Sequence, residues 1–265
     1  MFYGMPSRII GKDGKTIHGT LGFVGALLKI LRMTNPTHVV VLFDGEHVNN
    51  RKQLDANYKS NRPDYIDVDE NEIPFSQLPY IYAALDFLCI KHRETSSCEV
   101  DDWIAAYSLL YGRDNEVIIA SYDSDFFQLI NDNVKVLRYR GNKSVICDEA
   151  YMLNKLGVAP DKYVLYKSLV GDSADNIAGV LKVGPKTAAT LVNSFENIDE
   201  LIANKDKIVK KCARESVANN IDRIKLNYKL IKLHGDVDLP FDEDEIVYTI
   251  SDITTMEVMR KIGLI

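Results

Sequence analysis

The sequence predicts an α/β fold with a mostly parallel central sheet and a helical C-terminal part. Three observations carry this. Short β-branched apolar runs alternate with amphipathic helical spacing over residues 1–148. From about residue 149 onward the spacing is helical. Acidic residues stand just after the predicted strands, where an open α/β sheet presents its ligands.

Leu21, Val24, Leu27, Leu28 and Leu31 share one face of a helix over residues 20–33, which Asn35-Pro36 ends. Residues 38–43 are β-branched and apolar and predict a buried strand running into Asp44. Residues 45–75 lose all periodicity. They carry Arg51, Lys52, Tyr58, Lys59, Arg62 and Tyr65, then an acidic patch over 64–72, and so long an unpatterned stretch points to function or disorder. Helices follow over 75–88 and 99–111, the second with Trp103, Ile104, Ala106, Tyr107 and Leu110 on its apolar side. Residues 117–120 and 134–137 predict two more strands. The longest helix candidate is 216–234, with Ile221, Ile224, Tyr228 and Ile231 on one face, ahead of an acidic tail over 236–257.

With 265 residues, 46% of them hydrophobic and 26% charged, the composition is that of a soluble globular protein of one or two domains. It excludes a disordered chain, a collagen-like fibre and a membrane bundle. The wholly aliphatic and Phe run over residues 39–43 is far below the roughly 20 residues of a membrane span. No basic stretch followed by an apolar one opens the sequence, so no signal peptide is expected. Cys89, Cys98, Cys147 and Cys212 lack paired spacing and are expected to be free buried thiols in a reducing cytoplasm.

Eight carboxylates form four short clusters: Asp44; Glu99, Asp101 and Asp102; Asp123 and Asp125; Asp172 and Asp175. Asp123 with Ser124, or Glu99 taken alone, reads equally well as a helix cap. Gathered together the eight would repel, and divalent metals relieve that repulsion. Oxygen-only donors favour Mg²⁺ or Mn²⁺, and the five histidines show no zinc spacing. The net charge of −6 alone argues against nucleic acid, but with these eight acids set aside basic residues outnumber acidic ones. The bases gather at Arg51, Lys52, Lys59 and Arg62, at Lys182 and Lys186, and over residues 205–214. An acidic metal centre among basic arms suits phosphodiester cleavage.

The run Gly179-Val180-Leu181-Lys182-Val183-Gly184-Pro185-Lys186-Thr187-Ala188 resembles a helix–hairpin–helix, an element whose glycines and helix N-terminus meet a DNA phosphate. It follows Gly171-Asp172-Ser173-Ala174-Asp175-Asn176 directly. With Phe43-Asp44, Tyr58-Lys59-Ser60-Asn61-Arg62, Glu99-Val100-Asp101-Asp102 and Asp123-Ser124-Asp125, nearly the whole chain resembles the flap endonuclease family, including the 5′-nuclease domain of bacterial DNA polymerase I.

The resemblance implies a PIN-like core over 1–148 with a basic arch at 45–75, and a helical DNA-binding part over 149–265 with the hairpin at 171–192. It implies a 5′–3′ exonuclease or flap endonuclease that uses two Mg²⁺ or Mn²⁺ ions. Asp44 and Asp102 would hold the first ion and Asp172 and Asp175 the second, with Glu99, Asp101, Asp123 and Asp125 at or between them. Lys59 and Arg62 would grip the scissile phosphate, and Tyr58 would stack on a base or pack the arch. Arg51, Lys182, Gly184, Lys186 and Thr187 would contact DNA, with K⁺ at the hairpin. Expected partners are DNA flaps, nicks and single-strand/duplex junctions, bound by a cytoplasmic monomer with no membrane.

Two departures bear on this. The hairpin ordinarily has glycine where this chain has Lys182. Family members also begin with a strand ending in Asp-Gly, whereas Met1-Phe2-Tyr3-Gly4 matches a later segment and Asp13 is a poor substitute. The expectation is a weakened first metal position. A flap-DNA-binding protein that cleaves poorly and a PIN-like ribonuclease are the alternatives.

Overall fold

A computed structural model describes residues 9–12, 14–45, 50–62 and 73–265. The expected segment over 1–4, Asp13, and the 64–72 patch with Tyr65 lie outside the described residues. In chain order the elements begin with α1 (His18–Thr34), β1 (Val40–Phe43), α2 (Asn50–Leu54), α3 (Leu78–Phe87), β2 (Lys91–Glu94), α4 (Val100–Tyr111), β3 (Val117–Ala120), β4 (Val134–Arg138) and β5 (Val145–Cys147). They continue with α5 (Glu149–Leu156), α6 (Tyr163–Val170), β6 (Gly171–Asp172), β7 (Ile177–Ala178), α7 (Pro185–Ser194), α8 (Ile198–Ala203), α9 (Lys211–Asn219), α10 (Ile221–Ile231) and α11 (Thr255–Lys261). No described helix is long and apolar enough to cross a membrane.

The chain divides into two compact units. The first comprises residues 1–45, 63–95 and 239–265. Here Val24, Leu28 and Leu31 of α1 pack with Ile81, Ala84 and Leu85 of α3 and Val258 of α11. Asn35, left-handed at φ 44°, ends α1 by donating its N–H to the Leu31 carbonyl. β1 pairs in parallel with β2, Val40 opposite Lys91 and Phe43 opposite Glu94. The acidic tail pairs with the residues leading into β1: Val39 N–H donates to Ile246 O at 2.8 Å, and Tyr248 N–H to Thr37 O at 2.7 Å. Asp44 follows β1 and is exposed.

The second unit comprises residues 46–62 and 96–238. β3 and β4 run parallel, and β5 returns antiparallel to β4, with Val136 opposite Cys147. This sheet is therefore mixed, where the sequence suggested a mostly parallel one. The link between β4 and β5 is only residues 139–144, and a parallel crossover needs a dozen residues or more. Phe126, Val134, Val136, Met152, Leu169, Leu191, Val192 and Ile224 form its core. The expected helix over 216–234 is instead α9 and α10, broken at Asn220, whose side-chain amide turns back to the Ser216 carbonyl at 2.7 Å. Of the four cysteines, all free, Cys147 is buried but Cys89 is exposed, so the expected burial does not extend to all of them.

α6, the β6–β7 hairpin and α7 form the helix–hairpin–helix-like pair. Val180 and Val183 anchor the connecting turn in the core, with Val183 N–H donating to Val180 O at 3.0 Å. Lys182 takes the left-handed conformation of the usual glycine, at φ 64°, with its side chain exposed. Pro185 starts α7, where its fixed φ and missing N–H cost nothing.

Candidate metal centre and its basic surround

The acids of the second unit fall into two adjoining groups. The first is built on α4. Glu99 precedes this helix without capping it; both its carboxylate oxygens turn to basic groups instead. Arg51 Nη1 pairs with Glu99 Oε2, and its Nη2 lies 2.8 Å from Asp102 Oδ1. Arg51 Nε also donates to the Leu230 carbonyl at 3.0 Å and Nη2 to that of Lys232 at 3.2 Å, at the C-terminal end of α10. Lys59 Nζ stands 2.6 Å from Glu99 Oε1. Arg51 and Lys59 are only 6% and 8% exposed. Burial works against the Arg51 charge, but the hydrogen bond to Asp102 and the charges of Glu99 and Asp102 raise its pKa above the ordinary value.

The second group holds Asp125, Asp172 and Asp175, which offer carboxylate oxygens all within 4.8 Å of one another. Asp125 follows β3 through a turn in which its N–H donates to Asp123 Oδ1 at 2.8 Å. Asp172 closes a similar turn, accepting from Ala174 N–H at 2.9 Å. Asp175 Oδ1 meets Arg62 Nη2 at 3.0 Å, and Lys167 Nζ lies 3.1 Å from Asp125 Oδ1 and pairs with Asp172. The Tyr58 hydroxyl stands between the groups, 3.3 Å from both Glu99 Oε2 and Asp175 Oδ2. Tyr58 itself is buried against Val164, Ile177, Leu230 and Ile231. Burial, then the charges of Glu99 and Asp175, push its pKa upward.

The turn over residues 55–62 is bound to the Asp175 turn. Lys59 N–H donates to Asp175 O at 2.9 Å, with Lys59 left-handed at φ 55°. The Asn176 side-chain amide donates to Asn57 O and to Ser60 Oγ, both at 2.9 Å.

Of the eight acids predicted as ligands, the structure gathers Asp125, Asp172 and Asp175 into one cluster and sets Glu99 and Asp102 on Arg51. Asp101 is half-buried in the first turn of α4, and Asp123 is exposed beside Asp125. Arg51 and Lys59, which the resemblance places at DNA, are buried on acids here. Lys182, Gly184 and Lys186 are exposed and Thr187 half-buried at the start of α7. Sequence reasoning missed Lys167. Its signal was available: it is the one charged residue of α6, five positions before Asp172.

The donor set fits a hard divalent ion. It is all oxygen, and the buried Asp125 Oδ1 has no hydrogen bond of acceptable geometry despite the nearby ammonium. Burial, offset in part by Lys167, pushes the Asp125 pKa up to about 6 from 3.8. A carboxyl raised on folding opposes folding once ionised. In chelator-treated protein, Asp125→Asn is therefore expected to add on the order of 1–3 kcal/mol of stability at about pH 8. The gain should shrink as pH falls through about 6 and vanish below about 4. Urea unfolding at several pH values checks this, and a pH-independent gain would count against it.

Comparison with known proteins fits this arrangement. A family profile described as "5'-3' exonuclease, N-terminal resolvase-like domain" matches residues 1–157, and one described as "5'-3' exonuclease, C-terminal SAM fold" matches residues 158–254. A 5'-3' exonuclease of Aquifex aeolicus is 30% identical, over 97% of this chain and 85% of its own length. DNA polymerase I of Rhizobium leguminosarum is 33% identical over 93% of this chain, which spans only 24% of that polymerase. Among solved structures, T5 5'-exonuclease with bound zinc superposes with a TM-score of 0.67 at 20% identity, covering 79% of each chain. The catalytic core of Rad2 with a DNA substrate gives 0.60 at 16% identity, covering 92% of this chain and 81% of that one. At such identities the superpositions speak for the fold. The two profile matches run from residue 1 to residue 254, and with the 30% identity to the Aquifex protein they establish that this chain belongs to the 5′–3′ exonuclease family.

Proposed function

We propose that this chain is a metal-dependent, structure-specific 5′ nuclease, a 5′–3′ exonuclease and flap endonuclease acting on DNA. The observation that carries the reading is the cluster of Asp125, Asp172 and Asp175 beside Glu99 and Asp102, in a member of this family. The finer assignments belong to the same proposal: a PIN-like core over 1–148, a DNA-binding part over 149–265, two Mg²⁺ or Mn²⁺ ions on the eight acids, K⁺ at the hairpin, and a cytoplasmic monomer.

Divalent ions on these carboxylates would supply Lewis-acid stabilisation and an activated water for phosphodiester hydrolysis. The chain's own residues do the rest. Arg62, its side chain 51% exposed, can exchange Asp175 for a substrate phosphate. The Tyr58 hydroxyl, with its single proton, can donate to either Glu99 or Asp175. Lys182 and Lys186 neutralise duplex phosphates without reading sequence.

The test is cleavage of 5′-flap DNA, blunt duplex and single-stranded RNA with Mg²⁺ or Mn²⁺. Flap DNA should be cut near the junction, and Asp172→Asn should slow this at least about 100-fold. Tight flap binding without cleavage would establish the binding-protein alternative, and preference for RNA the ribonuclease.

A further inference from the structure

Lys167 is out of keeping with its helix. α6 reads Tyr163-Val164-Leu165-Tyr166-Lys167-Ser168-Leu169-Val170, and the lysine is buried with its neighbours, 7% exposed. Lysines are almost never so buried unless paired. This one has Asp125 Oδ1 at 3.1 Å, Asp172 in direct ion contact and Ser124 Oγ at 3.2 Å. Its two carboxylate partners are two of the three acids that gather within 4.8 Å.

We propose that Lys167 is a resident cation of the acid cluster: a positioning residue that holds Asp125 and Asp172 together in metal-free protein and sets how tightly a divalent ion is then held. The inference deepens the metal-nuclease reading and rests on it. Converging carboxylates repel. Lys167 and Arg62 together offset two of the three negative charges in the cluster. The arginine is half in water and can swing away, whereas the lysine is enclosed. An arriving dication therefore meets a fixed positive charge against the oxygens it needs. Lys167 favours the folded, empty cluster and opposes its filling.

The test is Lys167→Met, which keeps an unbranched chain and removes the charge. Mn²⁺ titrated calorimetrically into the variant should bind at least about tenfold more tightly than into the unaltered protein, the effect of deleting one unit of repulsion even under water-like screening. The chelator-treated variant should melt several degrees lower, and saturating Ca²⁺ should restore more stability to it than to the unaltered protein. A packing role alone would not tighten ion binding, so equal or weaker Mn²⁺ affinity overturns the proposal. The double variant Lys167→Met/Asp172→Asn, which removes both charges, should recover much of the melting temperature under chelation and should fold even if the single variant does not. No recovery overturns the counter-ion role. Absence of Mn²⁺ binding to the unaltered protein would instead sink the metal-nuclease reading, while the chelated comparison still decides the role of Lys167.

Discussion

Arg51→Met is expected to destabilise the protein by about 3–5 kcal/mol, because it leaves two buried carboxylates without their principal cation. Glu99 is 5% exposed and the Asp102 side chain 9%. Lys59 would still face Glu99, but among the described residues Asp102 would be left with neutral donors such as the His234 N–H at 2.9 Å. The Leu230 and Lys232 carbonyls would lose their guanidinium donor as well. Arg51→Lys should recover little of the loss, since one ammonium cannot replace a planar fork that reaches two carboxylates and two carbonyls. Urea unfolding at neutral pH measures both variants. A loss below about 1 kcal/mol would mean that the pairs behave like solvent-screened surface pairs. If the site works as proposed, Arg51→Met should also reduce cleavage in protein that is still folded, through displaced carboxylates.

Gly171→Ala should cost about 3 kcal/mol or more, and its effect on function should exceed its effect on stability. Gly171 has φ 83° and ψ 179°, a region open essentially to glycine alone. A Cβ there would also stand 2.4 Å from Gly179 N and 2.5 Å from Ile177 O, both backbone atoms that cannot swing aside. Relief requires parting β6 from β7, and Asp172 is the next residue along. Divalent-ion titration together with thermal melting checks this: the variant should lose ion affinity even where it remains folded. Unchanged affinity would show that Asp172 does not depend on the hairpin.

Local pattern was enough for the elements that carry their own periodicity. α1, α4 and β3 fall within two residues of their predicted spans, since the two helices carry apolar faces at 3.6-residue spacing and β3 is an unbroken, largely β-branched apolar run. β2 was not legible, because Lys91-His92-Arg93-Glu94 has no strand pattern and is extended by pairing with β1. The break between α9 and α10 was not legible either, since the apolar face runs through Asn220 while its side chain competes for the backbone. The acids were identifiable as residue types at element ends. Their partners were not, because Arg51 reaches Glu99 across 48 residues of chain and Tyr58 reaches Asp175 across 117. Only the fold brings such pairs together, so basic side chains that looked like surface contacts proved to be buried among the acids.

The hydrogen bonds joining the 55–62 turn to Asp175 and Asn176 make those two segments one mechanical piece. Thermodynamic linkage then applies in both directions. If an ion held by Asp175 favours one arrangement of the turn, it changes the affinity of whatever that turn grips by some factor. The gripped molecule must change the affinity for the ion by the same factor. Ion affinity measured on free protein is thus one side of a four-state cycle, and substrate affinity measured with and without the ion yields the same coupling constant from the other pair of sides.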